Sequence, residues 1–109
     1  LGGGGVEVDF FGERTLLPAG PATLALRTGA ALLPSAVYFD GPRGHRAVVL
    51  PEIVTRPPAP GPERSAGLRS EVSRVTQALA GDLETFIRHA PTQWHLMQPN
   101  WPSDPGYAR

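Results

Sequence analysis

The chain begins with an alternating segment. In Gly5-Val6-Glu7-Val8-Asp9-Phe10-Phe11, Val6, Val8 and Phe10 share one face and Glu7 and Asp9 the other, the period of a half-buried β-strand. Gly12 ends this strand, and Glu13 to Ala19 is expected to be a loop. Gly20-Pro21 predicts the start of a helix, because proline in the first helical position gives up an N–H that has no partner there. The helix runs through Ala22, Leu24, Ala25 and Leu26, and Gly29 is placed to cap its C-terminus. Ala30 to Phe39 is a continuous apolar stretch interrupted by Pro34 and Ser35. It predicts a strand buried on both faces, as in a sheet flanked by helices. A turn cluster, Asp40-Gly41-Pro42-Arg43-Gly44, then leads into a returning strand from His45 to Val54, where Pro51 suits a sheet edge.

The clearest periodicity comes later. Leu68, Val72, Val75, Leu79, Leu83, Phe86 and Ile87 recur at spacings of three and four, which draws one apolar stripe along a helix facing the sheet. Pro91 stops it. The organisation expected is a strand-helix-strand-strand unit over 1–54, a Pro-rich connector over 55–64, a long amphipathic helix over 65–90 and a tail over 91–109. The fold class is α/β. About three strands are few for a stable sheet, so the segment is expected to be incomplete on its own, with further strands upstream.

Composition narrows the functional classes. Basic and acidic residues number 10 each and the formal charge is zero, which leaves no electrostatic footprint for nucleic acid. Every basic residue is Arg, and with the Ala, Gly and Pro excess this points to a high-GC genome. There is no Cys, which excludes disulfides, thiolate metal sites and cysteine nucleophiles. No apolar run approaches the roughly 20 residues that span a bilayer. Leu1-Gly2-Gly3-Gly4-Gly5 has neither the basic nor the apolar region of a signal peptide, and the start without Met suggests a fragment.

Three stretches, taken in order, carry a family resemblance. They are Gly5-Val6-Glu7-Val8-Asp9-Phe10-Phe11-Gly12-Glu13, Pro18-Ala19-Gly20-Pro21-Ala22 and Thr28-Gly29-Ala30-Ala31-Leu32-Leu33-Pro34, closed by Ala90-Pro91-Thr92-Gln93-Trp94. The set resembles the C-terminal half of the lysophospholipid acyltransferase superfamily. It is most similar to the branch of lipid A late acyltransferases and actinobacterial phosphatidylinositol mannoside acyltransferases. The resemblance implies a glycerophosphate-acyltransferase-like fold, with this chain as the C-terminal part of a mixed sheet flanked by helices. It implies transfer of a long-chain acyl group from acyl-CoA, a substrate, to a glycolipid hydroxyl such as a mannose of a phosphatidylinositol mannoside. No metal or organic cofactor is implied. The partners implied are acyl-CoA, the glycophospholipid acceptor, the membrane surface and the N-terminal half of the same enzyme, at the cytoplasmic face of the plasma membrane.

The resemblance also implies a general base, a His in a His-x-x-x-x-Asp block, that takes a proton from the acceptor hydroxyl. The residues five places after His45, His89 and His95 are Leu50, Trp94 and Asn100. No catalytic residue is therefore expected in this chain, and alone it is expected to be inactive. A non-enzymatic α/β binding or assembly module is the alternative.

Four residues are candidate substrate contacts. Arg27 is a lone cation on a short apolar helix; its planar fork suits phosphate, or its stem packs flat on a solvated face. Gly4 belongs to a turn that could bring backbone N–H groups to an anion, or simply joins two elements. Pro34 and Ser35 could shape a lipid pocket, or mark a strand bend. Glu7 and Asp9 suit a solvated face, the long helix suits packing over a basic membrane contact, and Trp94 is expected to close the core, with Trp101 open between that role and a membrane interface.

Overall fold

The computed structural model describes residues 5–94 and 101–105. Strands β1 (Gly5–Phe10) and β2 (Glu13–Pro18) form one antiparallel hairpin, and β3 (Ser35–Asp40) and β4 (Gly44–Val49) form another. Helix α1 (Gly20–Thr28) lies between the hairpins in sequence, and α2 (Arg64–His89) follows them. A single 3-10 turn, Pro91–Gln93, ends the continuous stretch.

The first hairpin corrects the expected loop at 13–19. Phe11 and Gly12 both take positive φ, 53° and 80°, and so form the two-residue turn whose twist matches paired strands. β2 escapes the sequence pattern because its polarity is inverted: Thr15 is buried while Leu16 is half exposed. α1 matches its expected bounds. Gly29, at φ 72°, donates its N–H to the Ala25 carbonyl, the left-handed cap that glycine adopts without steric cost.

The second hairpin forms at the expected place but is shorter than expected, β3 beginning at Ser35 instead of Ala30 and β4 ending at Val49 instead of Val54, in register from Ser35 opposite Val49 to Asp40 opposite Gly44. The expected burial on both faces does not hold. Ala36 and Tyr38 are buried, whereas Val37 and Phe39 are 66% and 69% exposed. Only one face of this hairpin meets α2. Nor do the strands join one mixed sheet: among the described residues there are two separate two-stranded antiparallel sheets.

α2 is the element against which everything else packs. Its residues enter three successive clusters. Val72, Val75 and Leu79 meet Ala22 of α1 and Ile53. Ala80, Leu83 and Ile87 meet Val8 and Phe10 of β1. Phe86, with Leu83 again, meets Ala36 and Tyr38 of β3. A helix of 26 residues is about 39 Å long, and the molecule is correspondingly elongated, 55 × 33 × 23 Å.

Polar side chains then close the exposed strand edges. Asp9 exchanges both backbone hydrogen bonds with the Gln77 amide, at 2.8 and 3.0 Å. Phe39 does the same with Gln93, at 2.8 and 3.4 Å. Each glutamine takes the place of a neighbouring strand on an edge that would otherwise offer unpaired groups. The Tyr38 hydroxyl donates to the Phe86 carbonyl at 2.8 Å. In the tail it is Trp101, left open in the sequence, that closes the core: its ring stacks on Phe10 and its Nε1 donates to the Phe10 carbonyl, while Trp94, expected in that role, is 41% exposed. The tail is also held at Ser103, whose N–H and hydroxyl both donate to the Glu13 carboxylate.

The Pro-rich connector is fastened to α2 by one acid. Glu71 accepts from Arg74 at 2.8 and 2.7 Å and from the Arg56 N–H at 2.6 Å. Arg74 in turn donates to the Val54 carbonyl. The Arg74 hydrogen bonds, helped by Arg56 and opposed by burial, lower the Glu71 carboxyl from its ordinary 4.5 to about 2.

Two measurements check this packing. Phe86 is 2% exposed, so Phe86→Ala is expected to cost about 3–5 kcal/mol in urea denaturation. Phe39→Ala, on the outward face, should stay within about 0.5 kcal/mol. Similar effects at both sites would mean that the two faces of β3 are not distinguished by α2. The second concerns Glu71. A carboxyl depressed in the folded state contributes stability above its unfolded pKa, and that contribution disappears as pH falls through the folded pKa. The stability gap between the native chain and Glu71→Gln should therefore be fully open above pH 4.5 and close as pH falls toward about 2. A gap independent of pH would contradict the contact.

Candidate functional site

A groove of about 700 Å³ opens where α1, the start of β1 and the first turns of α2 approach one another. Its size falls within the range of small-molecule sites. Val6, Leu26, Leu68 and Val72 give it an apolar wall, and Ala19, Thr23 and Gly5 complete the lining from the β1 and α1 side. Leu68 is thus placed at the groove; the expected stripe facing the sheet does not extend to it. The wall is a direct result of the packing: Ala22 and Val75 meet in the core, which brings α1 and α2 close and leaves their flanking residues to face each other across the opening.

The rim is cationic. Arg27 projects from the last turn of α1, and Arg64 and Arg69 from the first two turns of α2. Among the described residues no carboxylate lines the groove. Arg64 donates to the Pro58 carbonyl at 2.6 Å, which holds the connector beside the groove. Arg27 and Arg69 have no hydrogen-bond or ion-pair partner among the described residues. An apolar channel rimmed by guanidinium groups suits an amphiphile with an anionic head.

Of the four candidate contacts from the sequence, Arg27 stands at this groove. Pro34 and Ser35 are not among its lining residues. Pro34 is buried at the foot of the second hairpin, where its carbonyl accepts from the Leu50 N–H. Ser35 is exposed and its hydroxyl donates to the Leu33 carbonyl. The β3–β4 register runs evenly from Ser35 onward, so these residues begin the strand without bending it. Gly4 and His95 lie outside the described residues. Sequence reasoning did not single out Arg64 and Arg69, because on the helix pattern they fall among ordinary surface charges.

The histidines are elsewhere. His89 lies in a smaller cavity of about 160 Å³ with Tyr38, Arg46 and Phe86. Its Nε2 is 3.0 Å from an Arg46 guanidinium nitrogen, and since Arg can only donate, that ring nitrogen is the acceptor and its lone pair is occupied. His45 is exposed and faces the Phe39 ring. Glu7 and Asp9 point away from the core, Asp9 toward Arg14 at 3.5 Å. Among the described residues no group of acidic and histidine side chains is arranged to hold a metal ion.

Residues 1–103 match the family model of bacterial lipid A biosynthesis acyltransferases. Over 100 residues the chain is 45% identical to a phosphatidylinositol mannoside acyltransferase of Mycolicibacterium smegmatis, covering 92% of this chain and 29% of that protein. A phosphatidylinositol mannoside acyltransferase of Mycobacterium tuberculosis is 44% identical, with 92% and 28% covered. The chain therefore spans less than a third of the length of the curated relatives it matches. With the match running through nearly the whole sequence, the chain belongs to the bacterial lipid A biosynthesis acyltransferase family.

Proposed function

We propose that this chain forms the C-terminal segment of an acyltransferase that moves a long-chain acyl group from acyl-CoA to a glycolipid hydroxyl, a mannose of a phosphatidylinositol mannoside. The observation that carries the reading is the groove between α1 and α2, apolar along its wall and cationic at its rim, in a chain whose relatives bear the name phosphatidylinositol mannoside acyltransferase. Val6, Leu26, Leu68 and Val72 would take up acyl methylenes, each buried CH₂ contributing about 0.8 kcal/mol. Arg27 would engage an anionic group of donor or acceptor.

Chemistry then requires a base from outside this segment. In the proposed reaction the base takes the proton of the acceptor hydroxyl, and the oxygen attacks the thioester carbonyl. The tetrahedral intermediate collapses with loss of the thiolate, which is reprotonated. None of this chain's histidines is followed five places later by Asp, and His89 is engaged with Arg46. The His-x-x-x-x-Asp block is assigned to the part of the enzyme beyond the matched segment. The outward apolar face of the second hairpin, with Val37, Phe39 and Val49 each more than half exposed, fits a segment that packs on the remainder of a larger fold, in which the hairpins join a mixed, glycerophosphate-acyltransferase-like sheet. No described helix is long and apolar enough to cross a membrane. A lipid acceptor places the proposed enzyme at a membrane surface, which we assign to the cytoplasmic face of the plasma membrane.

The test is a chimera in which this chain replaces the matching segment of the Mycolicibacterium smegmatis relative. With radiolabelled palmitoyl-CoA and a mannosylated phosphatidylinositol, the chimera should form acylated product and the isolated chain none above background. A folded chimera without transferase activity, or activity in the isolated chain, would overturn the assignment.

A further inference from the structure

We infer that Arg27, Arg64 and Arg69 together form a phosphate-binding clamp at the mouth of the groove, so that the ligand bound there carries a phosphate group beside its apolar part. The inference rests on the reading that the groove takes an acyl chain, and it adds the chemistry of the head.

The distribution of charge carries it. The chain is neutral overall, and three of its other arginines pair with acids. Arg14 meets Asp9 at 3.5 Å, Arg74 meets Glu71 at 2.7 Å and Arg88 meets Glu84 at 3.3 Å. Around the groove three guanidiniums line one opening, and among the described residues no carboxylate does. Like charges gathered without a counter-ion raise the potential of the opening and favour an anion in it. Arg64 spends one N–H on Pro58 and keeps others in its fork, while Arg27 and Arg69 have no protein partner among the described residues.

Geometry adds to charge. Arg64 is the first residue of α2, and no side chain caps that helix end, so the positive end of the helix dipole adds to the same field. Arg69 lies little more than one turn further on, next to Leu68 on the groove wall. Arg27 enters from the other helix. Guanidinium forks from two helices can hold a phosphate from two directions, each through paired N–H···O bonds. With Leu26, Leu68 and Val72 lining the same groove and less exposed than the arginines, they would place the phosphate at the solvent end of a buried chain.

Two sources supply this chemistry, the nucleotide phosphates of an acyl-CoA donor and the phosphodiester of an inositol lipid acceptor. Calorimetric titration of the chain separates them with adenosine 3′,5′-bisphosphate, dihexanoyl phosphatidylinositol and, as an uncharged amphiphile, decyl maltoside. At least one phosphate probe should bind, more weakly as salt is raised. Arg27→Ala and Arg69→Ala should each weaken it about 10–100-fold, Arg27→Lys less so, and neither Ala variant should alter binding of decyl maltoside. Arg43→Ala, in the β3–β4 turn, is the charge-matched control and should leave every affinity unchanged, with circular dichroism checking that all variants are folded. Binding of the bisphosphate assigns the clamp to the donor, and binding of the lipid alone assigns it to the acceptor. Decyl maltoside binding without phosphate binding, or phosphate binding indifferent to Arg27 and Arg69, overturns the clamp and leaves the apolar groove standing. If none of the three probes binds, the groove reading fails with it.

Discussion

A two-stranded hairpin is at best marginally stable by itself in water, and the described residues contain two of them with no strand pairing between them. Each must bury its apolar face on something else, and for both that partner is α2. Val8 and Phe10 of β1 pack on Ala80 and Leu83; Ala36 and Tyr38 of β3 pack on Phe86 and the same Leu83. The helix therefore couples two sheets that do not touch through a ladder. The glutamines sharpen the coupling, since Gln77 on α2 and Gln93 just beyond it each complete the backbone bonding of an edge strand. The cost of leaving those edge groups unpaired becomes a force that sets the height of each hairpin along the helix.

The groove is a consequence of the same arrangement. α1 docks where Ala22 is small enough to let Val75 approach, and the connector returns to the start of α2 through Glu71, Arg74 and Arg64. The first turns of α2 thus run past the core into open space beside α1. That places Leu68 and Val72 opposite Leu26, and Arg64 and Arg69 opposite Arg27. Packing and the open groove are divided along one helix: its middle and C-terminal turns hold the hairpins, while its N-terminal turns form part of the wall and rim of the opening.

Much of this was legible in the sequence where local rules act alone. The long helix was expected over 65–90 and spans Arg64–His89, because seven apolar residues at helical spacing admit one solution. α1 was legible from Pro21 and Gly29, and the second hairpin from its Gly/Pro turn. β2 was hidden because Thr15 is turned inward and Leu16 outward, which reverses the polarity that marks a strand. Continuous apolarity from Ala30 to Phe39 suggested burial on both faces, yet only the face carrying Ala36 and Tyr38 found a partner. Arg27 was visible as a lone cation on an apolar helix. Arg64 and Arg69 were not, since they reach the groove only through a meeting of two helices some forty residues apart in sequence, and no local pattern encodes that distance. Trp101 was equally unreadable: its partner Phe10 lies at the other end of the chain.

The account stands or falls on whether α2 couples the two hairpins, and native-state hydrogen exchange measures this most directly. Amides of β1, of β3 and of the middle of α2 should lose protection together, with one dependence on added denaturant, as a single cooperative unit. Exchange of the β3–β4 hairpin at low denaturant, with β1–β2 and α2 still protected, would show that the hairpins are held separately and would contradict the central role of the helix.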